Sequence, residues 1–537
     1  MIAIFIIAAL AAVTGLLLEL QRDLMMMQQN SYMPSRYRGW LSTSGDTTSV
    51  IRLIGMAVVL AAWIGRNLPM WSSILVILFA VTLTWSLYGR KYKKPLVWTK
   101  RVRRIFVVEL LLSLLAMAGI CVLDYWTESP LESVCYNIAV TATALYCASH
   151  LVTITAVWLL TPVEKHINDS YRKDAERILR DMPNLKIIGV TGSYGKTSTK
   201  HYLKKILDTT YDVAMTPGNF NTTLGVIRTV REYLKPYNEV FIVEMGAKQI
   251  GDIKDICDLV HPTVGIVTAV GEQHLESFGS IKNVCRTKFE LVDALPPDGL
   301  AVVNNDFPQA ASRKVTNTEC VRYGVNPESK NSADVRYTAE EIVYDRRGTS
   351  FTVVDRKTGE RLPLRTPLVG ECNVSNLLAA VAVALHLGVK PQDIRYAVEQ
   401  IEQVEHRLSL RRVPGGMTII DDAYNSNPTG SKMALDVLAM MKPGRRFVIT
   451  PGMIELGERQ EELNRKFGRH MASCVDVAII VGEYNREAIL AGLEEGGFPK
   501  GQTYTADSFA EAQRMLLSMA APGDTVLYEN DLPDTFK

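Results

Sequence analysis

The 537-residue sequence lacks any cluster of cysteine and histidine. Its 8 cysteines are scattered and form no Cys-x-x-Cys pair. This spacing argues against a structural zinc site and a disulfide framework, and it is typical of a reducing compartment. A large excess of charge is also missing, because the formal net charge is only +2. A protein that binds nucleic acid through a broad basic surface is therefore disfavoured, and we expect no nucleic-acid partner.

Long apolar runs are confined to the first third of the chain, which raises the mean hydropathy to +0.06. Five of them approach the length of about 20 residues that a helix needs to cross a bilayer. They cover residues 2–18, 50–64, 70–87, 105–123 and 139–160, and the second is the shortest. Because no Lys or Arg precedes the first run, we predict a retained helix there rather than a cleaved signal peptide.

Basic residues between these runs predict their orientation. The loop after the third run is strongly basic, the region between the first two runs is moderately so, and the loop after the fourth run, around residues 128–132, has no Lys or Arg. The residues are Arg90, Lys91, Lys93, Lys94, Lys100, Arg101, Arg103 and Arg104 after the third run, Arg22, Arg36 and Arg38 between the first two, and Arg66 in the second link. We therefore predict a multi-pass protein of the cytoplasmic membrane, in contact with membrane lipid, with everything after residue 160 in the cytoplasm.

His150 lies within the fifth run. An ionisable group inside a membrane can mark a functional site, but a packed, neutral histidine is the interpretation that we favour. We disfavour a transporter, because five short helices carry almost no buried charge from which to form a pathway.

The first motif that carries chemistry follows a predicted buried strand, Leu185-Lys-Ile-Ile-Gly-Val190. A strand, a glycine-rich turn and a helix form the phosphate-binding arrangement of P-loop proteins. We expect the turn Thr191-Gly-Ser-Tyr-Gly-Lys-Thr-Ser198 to bind ATP through Gly192, Ser193, Gly195, Lys196, Thr197 and Ser198. Lys196 would neutralise the β- and γ-phosphates, and Thr197 would bind Mg²⁺. Val190 replaces the first glycine of the generic pattern, so only the shorter Thr-Gly-x-x-Gly-Lys-Thr form is present.

Five later segments, together with this turn, resemble the Mur ligases, and most nearly the branch that adds D-Ala-D-Ala to a muramyl tripeptide. They are Thr216-Pro-Gly-Asn-Phe-Asn-Thr-Thr-Leu-Gly225, Val243-Glu-Met-Gly-Ala247, Glu272-Gln-His-Leu-Glu276, Asn373-Val-Ser-Asn376 and Asp421-Asp-Ala-Tyr-Asn-Ser-Asn-Pro428. The resemblance covers residues 184 to 528, about two thirds of the chain. Several motifs in one order are far more specific than any of them alone.

The resemblance implies metal ligands in the central part of the chain. Glu244, which ends an apolar strand, would bind Mg²⁺ through hard oxygen atoms. His274 resembles the ligand of a second metal. Lys288 is similar to a lysine that several Mur ligases carbamylate, which would turn an ammonium into an anionic oxygen ligand. A solvated lysine is the alternative there.

The resemblance also implies contacts with nucleotide and substrate. Asn373 and Asn376, three residues apart on a predicted helix, would lie around the adenine. Arg407 resembles an interdomain arginine that reaches the phosphates, and Asp422 an aspartate that approaches the ribose. Asn221 matches an asparagine near the reacting carboxylate.

The implied architecture is an α-helical membrane region followed by α/β domains. We expect transmembrane helices in residues 1–164, a linker in 165–183, a P-loop-type central ATPase domain in 184–407 and a Rossmann-like C-terminal domain in 408–537. In the last domain, strand-like runs alternate with helical stretches. Enzymes of this family phosphorylate a carboxylate with ATP and let an amine displace the phosphate, giving ADP and phosphate.

Departures from the family pattern concern the parts that read the substrate. Apolar runs occupy the place of the soluble UDP-binding domain, and residues 528–534 lack the expected basic Lys-x-Ser-Arg-type segment. Cys372 stands where many relatives carry His, and Thr450-Pro-Gly-Met453 replaces a more usual Leu-Gly-Asp-Met. We expect a ligase of peptidoglycan precursor synthesis whose substrates are a muramyl-peptide-like or lipid-linked carboxylate and an amino acid or dipeptide amine. The alternatives are a poly-γ-glutamate-type polymer ligase and a non-catalytic ATP-binding scaffold for cell-envelope enzymes.

Overall fold

The computed structural model describes residues 2–65, 68–88, 92, 94–345, 348–423 and 426–531. The described chain divides into two compact units, a helical unit of residues 2–168 and an α/β unit of residues 169–531. Some residues used above lie outside the described ones, namely Arg66, Arg90, Lys91 and Lys93 of the predicted orientation, Tyr424 and Asn425 of the last motif, and Leu532, Pro533 and Asp534.

Apolar helices make up the helical unit. In the described part of the chain they are α1 (Ile2–Gln29), α2 (Pro34–Ser44), α3 (Val50–Ile64), α4 (Pro69–Tyr88), α5 (Lys100–Trp126), α6 (Leu131–Cys147) and α7 (Ser149–Arg180). Helices α1, α4 and α5 are long and apolar enough to cross a membrane, and α6 with α7 adds a fourth span if this bent pair is counted as one. With 15 residues, α3 is shorter than a span. Five spans were predicted, and three or four meet the criteria of length and composition.

The run predicted as one helix over residues 139–160 is bent by 75° where α6 ends and α7 begins. Breaking a helix frees carbonyl groups that need new donors. Arg52 of α3 supplies them, since its Nη1 donates to the carbonyl oxygens of Tyr146 at 2.9 Å and Cys147 at 3.3 Å. The partner comes from a distant helix, so the apolar pattern of the run gave no sign of the break.

A network of buried charged groups connects α1, α3 and α7 with a short 3₁₀ turn at Asp46–Thr48. We call it the charged cluster and define it as Glu19, Arg22, Asp23, Asp46, Arg52 and His150. Arg52 is 1% exposed, and its Nη2 lies 2.6 Å from Oε1 of Glu19. Arg22 pairs with the same oxygen at 2.6 Å and also with Asp46. The expectation that this region buries almost no charge was therefore wrong.

His150 is buried in this cluster, between two carboxylates. Its Nδ1 lies 3.1 Å from Asp23 and 2.9 Å from the hydroxyl of Tyr37, and its Nε2 lies 3.1 Å from Asp46. His150 is thus packed, as we expected, but it lies beside charged side chains.

Helices and strands alternate through the α/β unit, as expected for mostly parallel sheets. The described helices are α8 (Lys196–Leu207), α9 (Thr223–Glu232), α10 (Asp252–Val260), α11 (Leu275–Phe278), α12 (Ile281–Asp293), α13 (Pro308–Ala311), α14 (Pro327–Asn331), α15 (Glu371–His386), α16 (Pro391–Glu399), α17 (Pro428–Ala439), α18 (Gln460–Cys474), α19 (Arg486–Glu495) and α20 (Phe509–Met519). The strands are β1 (Lys186–Thr191), β2 (Val213–Met215), β3 (Val240–Glu244), β4 (Val264–Val267), β5 (Leu300–Asn304), β6 (Glu319–Gly324), β7 (Val335–Asp345), β8 (Gly348–Asp355), β9 (Arg361–Thr366), β10 (Ser409–Arg412), β11 (Thr418–Asp422), β12 (Arg446–Thr450), β13 (Val477–Val481), β14 (Thr503–Ala506) and β15 (Thr525–Glu529).

The first sheet of the α/β unit has the described strand order β2-β3-β1-β4-β5-β6-β7-β8-β9. The pairs from β2 to β7 are parallel, and β8 and β9 are added antiparallel. Strand β1 lies between β3 and β4, so the carboxyl ends of these three strands meet at one edge. Ligands of open α/β sheets bind at this kind of edge.

The second sheet has the described order β10-β11-β15-β12-β13-β14, in which only β10 is antiparallel. Strand β15 is inserted between β11 and β12, although it comes last in sequence. Helices α17 and α18 pack against the apolar core of this sheet through Leu435, Leu438 and Phe467. The sheet therefore has a hydrophobic core separate from that of the first sheet.

Candidate nucleotide and metal site

The turn between β1 and α8 requires glycine at two positions. Gly192 has φ +151° and Gly195 has φ +82°. A Cβ on Gly192 would lie 2.1 Å from Oγ1 of Thr268, and one on Gly195 would lie 2.4 Å from Oδ1 of Asn376. Val190 is fully buried inside β1, before the turn begins. The turn therefore starts after Val190, which explains why the shorter motif is sufficient.

Backbone donors are available where α8 begins. Among the described residues no side chain caps this end of the helix, and Gly195 is its N-cap. The turn is held in place from the β4 side. The hydroxyl of Thr268 donates to the carbonyl of Thr191 at 3.1 Å, and the hydroxyl of Ser193 donates to the carbonyl of Gly271 at 3.0 Å. An ordered turn at a helix N-terminus can bind phosphate oxygens through its N–H groups.

Three of the predicted residues meet at the end of β3. Oε1 of Glu244 accepts from Oγ1 of Thr197 and from Nδ2 of Asn221, both at 3.1 Å. Glu244 is 1% exposed. Burial alone would raise its pKa, but Lys200 and Lys196 hold the pKa below the usual value, so the carboxylate is charged. A carboxylate, a hydroxyl and an amide oxygen are the hard ligands that Mg²⁺ prefers.

Lys200 belongs to this site and was missed in the sequence. Its fully buried ammonium lies 2.9 Å from Oε2 of Glu244 and donates to the carbonyls of Thr216 at 2.9 Å and Gly218 at 2.7 Å. It lies one helical turn after Lys196 on α8, so the i, i+4 spacing places both on the same face. That spacing was the available signal.

Lys196 is folded back onto the turn, where its Nζ donates to the carbonyls of Gly192 at 2.7 Å and Ser193 at 3.2 Å. Burial lowers its pKa to about 8, with a further lowering from Arg407 that Glu244 opposes. Burial raises the pKa of Asp422 to about 6, although Arg407 acts in the opposite direction. The charge of Arg407 thus influences the pKa of both residues.

The two asparagines of α15 are both buried but have different surroundings. Asn376 lies against Gly195 of the turn. The amide of Asn373 is used within the protein, since its Oδ1 accepts from the hydroxyl of Tyr202 at 2.7 Å and its Nδ2 donates to Val369 at 2.9 Å. Ser198 is also buried, on the first turn of α8.

His274 and Lys288 are the remaining predicted metal ligands. Burial lowers the pKa of His274, so the ring is neutral near pH 7, and its Nδ1 contacts the carboxylate of Glu455 from the second sheet's domain. Lys288, on α12, is 2% exposed, and burial lowers its pKa well below the usual value, with a further contribution from Lys196. A neutral amine is the form of lysine that reacts with carbon dioxide.

Comparison with known proteins supports the same interpretation. Residues 190–384 match the family model of the Mur ligase middle domain, and residues 406–528 match that of the Mur ligase glutamate ligase domain. The UDP-N-acetylmuramoyl-tripeptide–D-alanyl-D-alanine ligase of Mycobacterium bovis is 32% identical over 372 residues, which cover 64% of this chain and 70% of the relative. The enzyme of that name from Escherichia coli is 30% identical, over 64% of this chain and 75% of the relative.

Solved structures agree with these matches. MurF from Acinetobacter baumannii superposes with a TM-score of 0.60 at 27% identity, over 67% of this chain and 76% of that one. MurF ligase from Thermotoga maritima in complex with ADP gives 0.59 at 25% identity, over 68% and 80%. The fold and the site thus define an ATP-dependent peptide ligase. The chain belongs to the Mur ligase family.

Proposed function

We propose that this protein is a membrane-anchored, ATP-dependent amide ligase of peptidoglycan precursor synthesis. It activates a carboxylate as an acyl phosphate, which an amine then attacks. The observation that carries the proposal is the contact of Thr197 and Asn221 with the Glu244 carboxylate, beside a glycine turn where, among the described residues, no side chain caps α8. A scaffold without catalysis does not need a phosphate turn and a set of metal ligands in one place.

The residues at this edge fit Mg²⁺. Thr197 and Glu244 would hold the ion that accompanies ATP, and the neutral ring of His274 is available to a second ion. We propose that Lys288 is carbamylated, because burial lowers the pKa of its ammonium and so favours the neutral amine that reacts with carbon dioxide. When bound, Mg²⁺ supplies countercharge to the phosphates.

The protein groups reduce the main electrostatic difficulty of the reaction, in which an anionic carboxylate attacks an anionic phosphate. Lys196 and Arg407 place positive charge at the transferred phosphoryl group. Asn221 orients the reacting carboxylate, and Asn376 and Asp422 contact the adenosine, with Asn373 supporting the adenine side. Because the second sheet's domain provides Arg407 and Asp422, its closure completes the site and excludes water from the acyl phosphate.

We infer that the helical unit anchors the enzyme and takes the place of a UDP-binding domain. Large apolar side chains on α3 and α4 face outwards, among them Leu60, Trp63 and Trp85, at 57%, 67% and 81% exposed. Such a surface suits lipid better than water. The proposed domains are residues 1–164 in the cytoplasmic membrane, a linker at 165–183, a P-loop-type domain at 184–407 and a Rossmann-like domain at 408–537, both in the cytoplasm.

The substrates follow from this arrangement and from the relatives. The carboxylate is carried by a muramyl-peptide-like or lipid-linked precursor, and the amine is an amino acid or a dipeptide such as D-Ala-D-Ala. A lipid-linked carrier explains why this chain has apolar helices in place of the soluble domain that binds a nucleotide-linked sugar in this family.

The test is phosphate release by the full-length protein in detergent with ATP and Mg²⁺. Carboxylates are offered in UDP-linked and lipid-linked forms, each with D-Ala-D-Ala or single amino acids. Turnover with the lipid-linked form alone assigns the helical unit to substrate binding, and turnover with UDP-muramyl-tripeptide makes it an anchor. Nucleotide binding without acceptor-dependent release across the whole panel would overturn the proposal in favour of a polymer ligase or a scaffold.

A further inference from the structure

A loop of the second sheet's domain reaches the candidate metal ligand His274. Glu455, which follows β12, contacts Nδ1 of His274 with its carboxylate, and its carbonyl accepts from the backbone N–H of Glu276 at 3.3 Å. Arg459 extends the contact by pairing with Glu272. The segment Glu272–Glu276 is thus held from the other domain by side-chain and backbone bonds together.

Both residues of the central contact have unusual backbone conformations. His274 has φ +52° and Glu455 has φ +61°. Residues other than glycine are strained in this left-handed region, and such residues concentrate at functional sites. The contact between the imidazole and the carboxylate is therefore made by two residues in strained conformations.

A carboxylate on one nitrogen of a histidine determines what the other nitrogen can do. It accepts a hydrogen bond from Nδ1–H, which fixes the ring in the Nδ1–H tautomer and leaves the lone pair on Nε2. Histidines that bind metals usually have such a partner, and loss of the partner weakens metal binding by about 10- to 100-fold. Among the described residues, Glu455 is the carboxylate within hydrogen-bonding distance of this ring.

We propose that Glu455 is a positioning residue that orients His274 for metal binding through Nε2. This inference rests on the proposed function, which assigns a metal to His274. Because Glu455 comes from the second sheet's domain, the metal ligand is correctly oriented only when the two domains are together. Lys248 also lies near this carboxylate, with Nζ 3.9 Å from Oε1 of Glu455. Metal affinity is therefore coupled to domain closure.

The experiment measures Mn²⁺ binding to the full-length protein in detergent with ADP present, by electron paramagnetic resonance. We expect His274→Ala to abolish one Mn²⁺ site. Glu455→Ala should weaken the affinity of that same site for Mn²⁺ by about 10- to 100-fold. Glu455→Gln should recover part of the affinity, since its amide oxygen still accepts from Nδ1–H. Glu458→Ala is the matched control, because Glu458 is exposed in the same segment. ADP affinity in metal-free buffer should be equal in all four variants.

The outcomes separate this inference from the proposed function. If His274→Ala leaves Mn²⁺ binding unchanged, the metal assignment fails and the inference fails with it. If His274→Ala weakens the site but Glu455→Ala does not, only the positioning role is wrong. Tighter binding in Glu455→Ala would show that Glu455 competes with the metal for Nδ1. In turnover, Glu455→Ala should raise the KM for Mg²⁺ and leave kcat at saturating Mg²⁺ nearly unchanged.

Discussion

The helical unit and the α/β unit both bury charged side chains, but they balance these charges in different ways. In the charged cluster, three carboxylates face two guanidinium groups and one imidazole, so opposite charges are adjacent. At the turn of the α/β unit, Lys196 donates to backbone carbonyls and among the described residues has no carboxylate within ion-pair distance, although Lys200 beside it pairs with Glu244.

The difference separates buried charge that serves structure from buried charge that serves a ligand. A balanced cluster loses much of its contribution to stability when one member is removed, because the other charged groups remain buried and unpaired. A buried cation without a carboxylate partner is costly to the folded protein, and it gains its partner when an anion binds. Changes in the helical unit should therefore affect stability, and changes at the turn should affect nucleotide binding and catalysis.

The largest expected effect is at the turn. Lys196→Ala should lower kcat for phosphate release about 10³-fold, since it removes a cation that we propose acts on the transferred phosphate. The unfolding temperature should not fall. Lys204→Ala is the control on the same helix, because Lys204 pairs with Asp208 at the surface. A rate within tenfold of the wild type would show that the buried charge of Lys196 does not serve a ligand.

The next effect is in the helical unit. Arg52→Met should destabilise the unit by about 3–5 kcal/mol, because Glu19 and Asp23 lose a buried partner. Thermal unfolding in detergent measures the change, and adding Glu19→Gln should restore part of the loss. The exposed Arg38→Met provides the control. Equal unfolding temperatures for the two arginine variants would contradict the balanced cluster.

A smaller effect concerns pH and nucleotide affinity. The pKa of Lys196 is about 8, so its ammonium form is present below that pH and lost above it. Affinity for ADP without metal should fall about tenfold between pH 7 and pH 9, because about a tenth of the lysine keeps its proton at pH 9. Calorimetry measures this. In Lys196→Met the affinity should be lower and the same at both values, and a wild-type slope in this variant would assign the effect to another group.

The smallest effect tests a buried carboxyl of the α/β unit. Glu529 is fully buried, and burial followed by the charge of Asp422 raises its pKa to about 8. The folded state therefore holds a proton that the unfolded state releases near pH 4.5, so this group destabilises the fold as pH rises towards 8. Glu529→Gln should be close to the wild type in thermal unfolding at pH 5 and become more stable than the wild type as the pH rises to 9.

Glu487→Gln is the control for this prediction, because Glu487 is exposed on α19. If Glu529→Gln shows the same dependence on pH as the wild type, Glu529 is not the titrating group. Glu529 would then resemble the carboxylates of the charged cluster, whose charges are balanced by neighbouring groups.

Much of the candidate site could be predicted because its residues stand next to strand ends. Thr197 and Glu244 follow apolar strands that are adjacent in one sheet, so sequence order and sheet topology place them together. Lys200 was missed because the motif ends two residues earlier. Glu455 lies in the other domain, and its contact with His274 depends on how two domains meet, which local patterns do not encode.

In the helical unit, hydropathy predicted where the helices lie in the sequence but not which residues of different helices contact one another. It could not show that Arg52 would lie beside the carbonyls of Tyr146 and Cys147 and support a bend. It also could not pair His150 with Asp23 and Asp46, because residues on separate helices come together only through tertiary packing. Fewer spans were found than predicted, because α3 has only 15 residues and α6 and α7 form a bent pair.

The charged cluster also determines the order in which the helical unit can be assembled. Helix α1 carries Glu19 and Asp23, and its first buried cationic partner on another helix, Arg52, follows 33 residues after Glu19. In the membrane that we propose for this unit, Asp23 of α1 would gain the partner Arg52 only after α3 is made, whereas Glu19 already pairs with Arg22 of the same helix. The first helix would therefore be a poor anchor when used alone. Fused alone to another protein, it should insert poorly, whereas the complete set of helices should insert together.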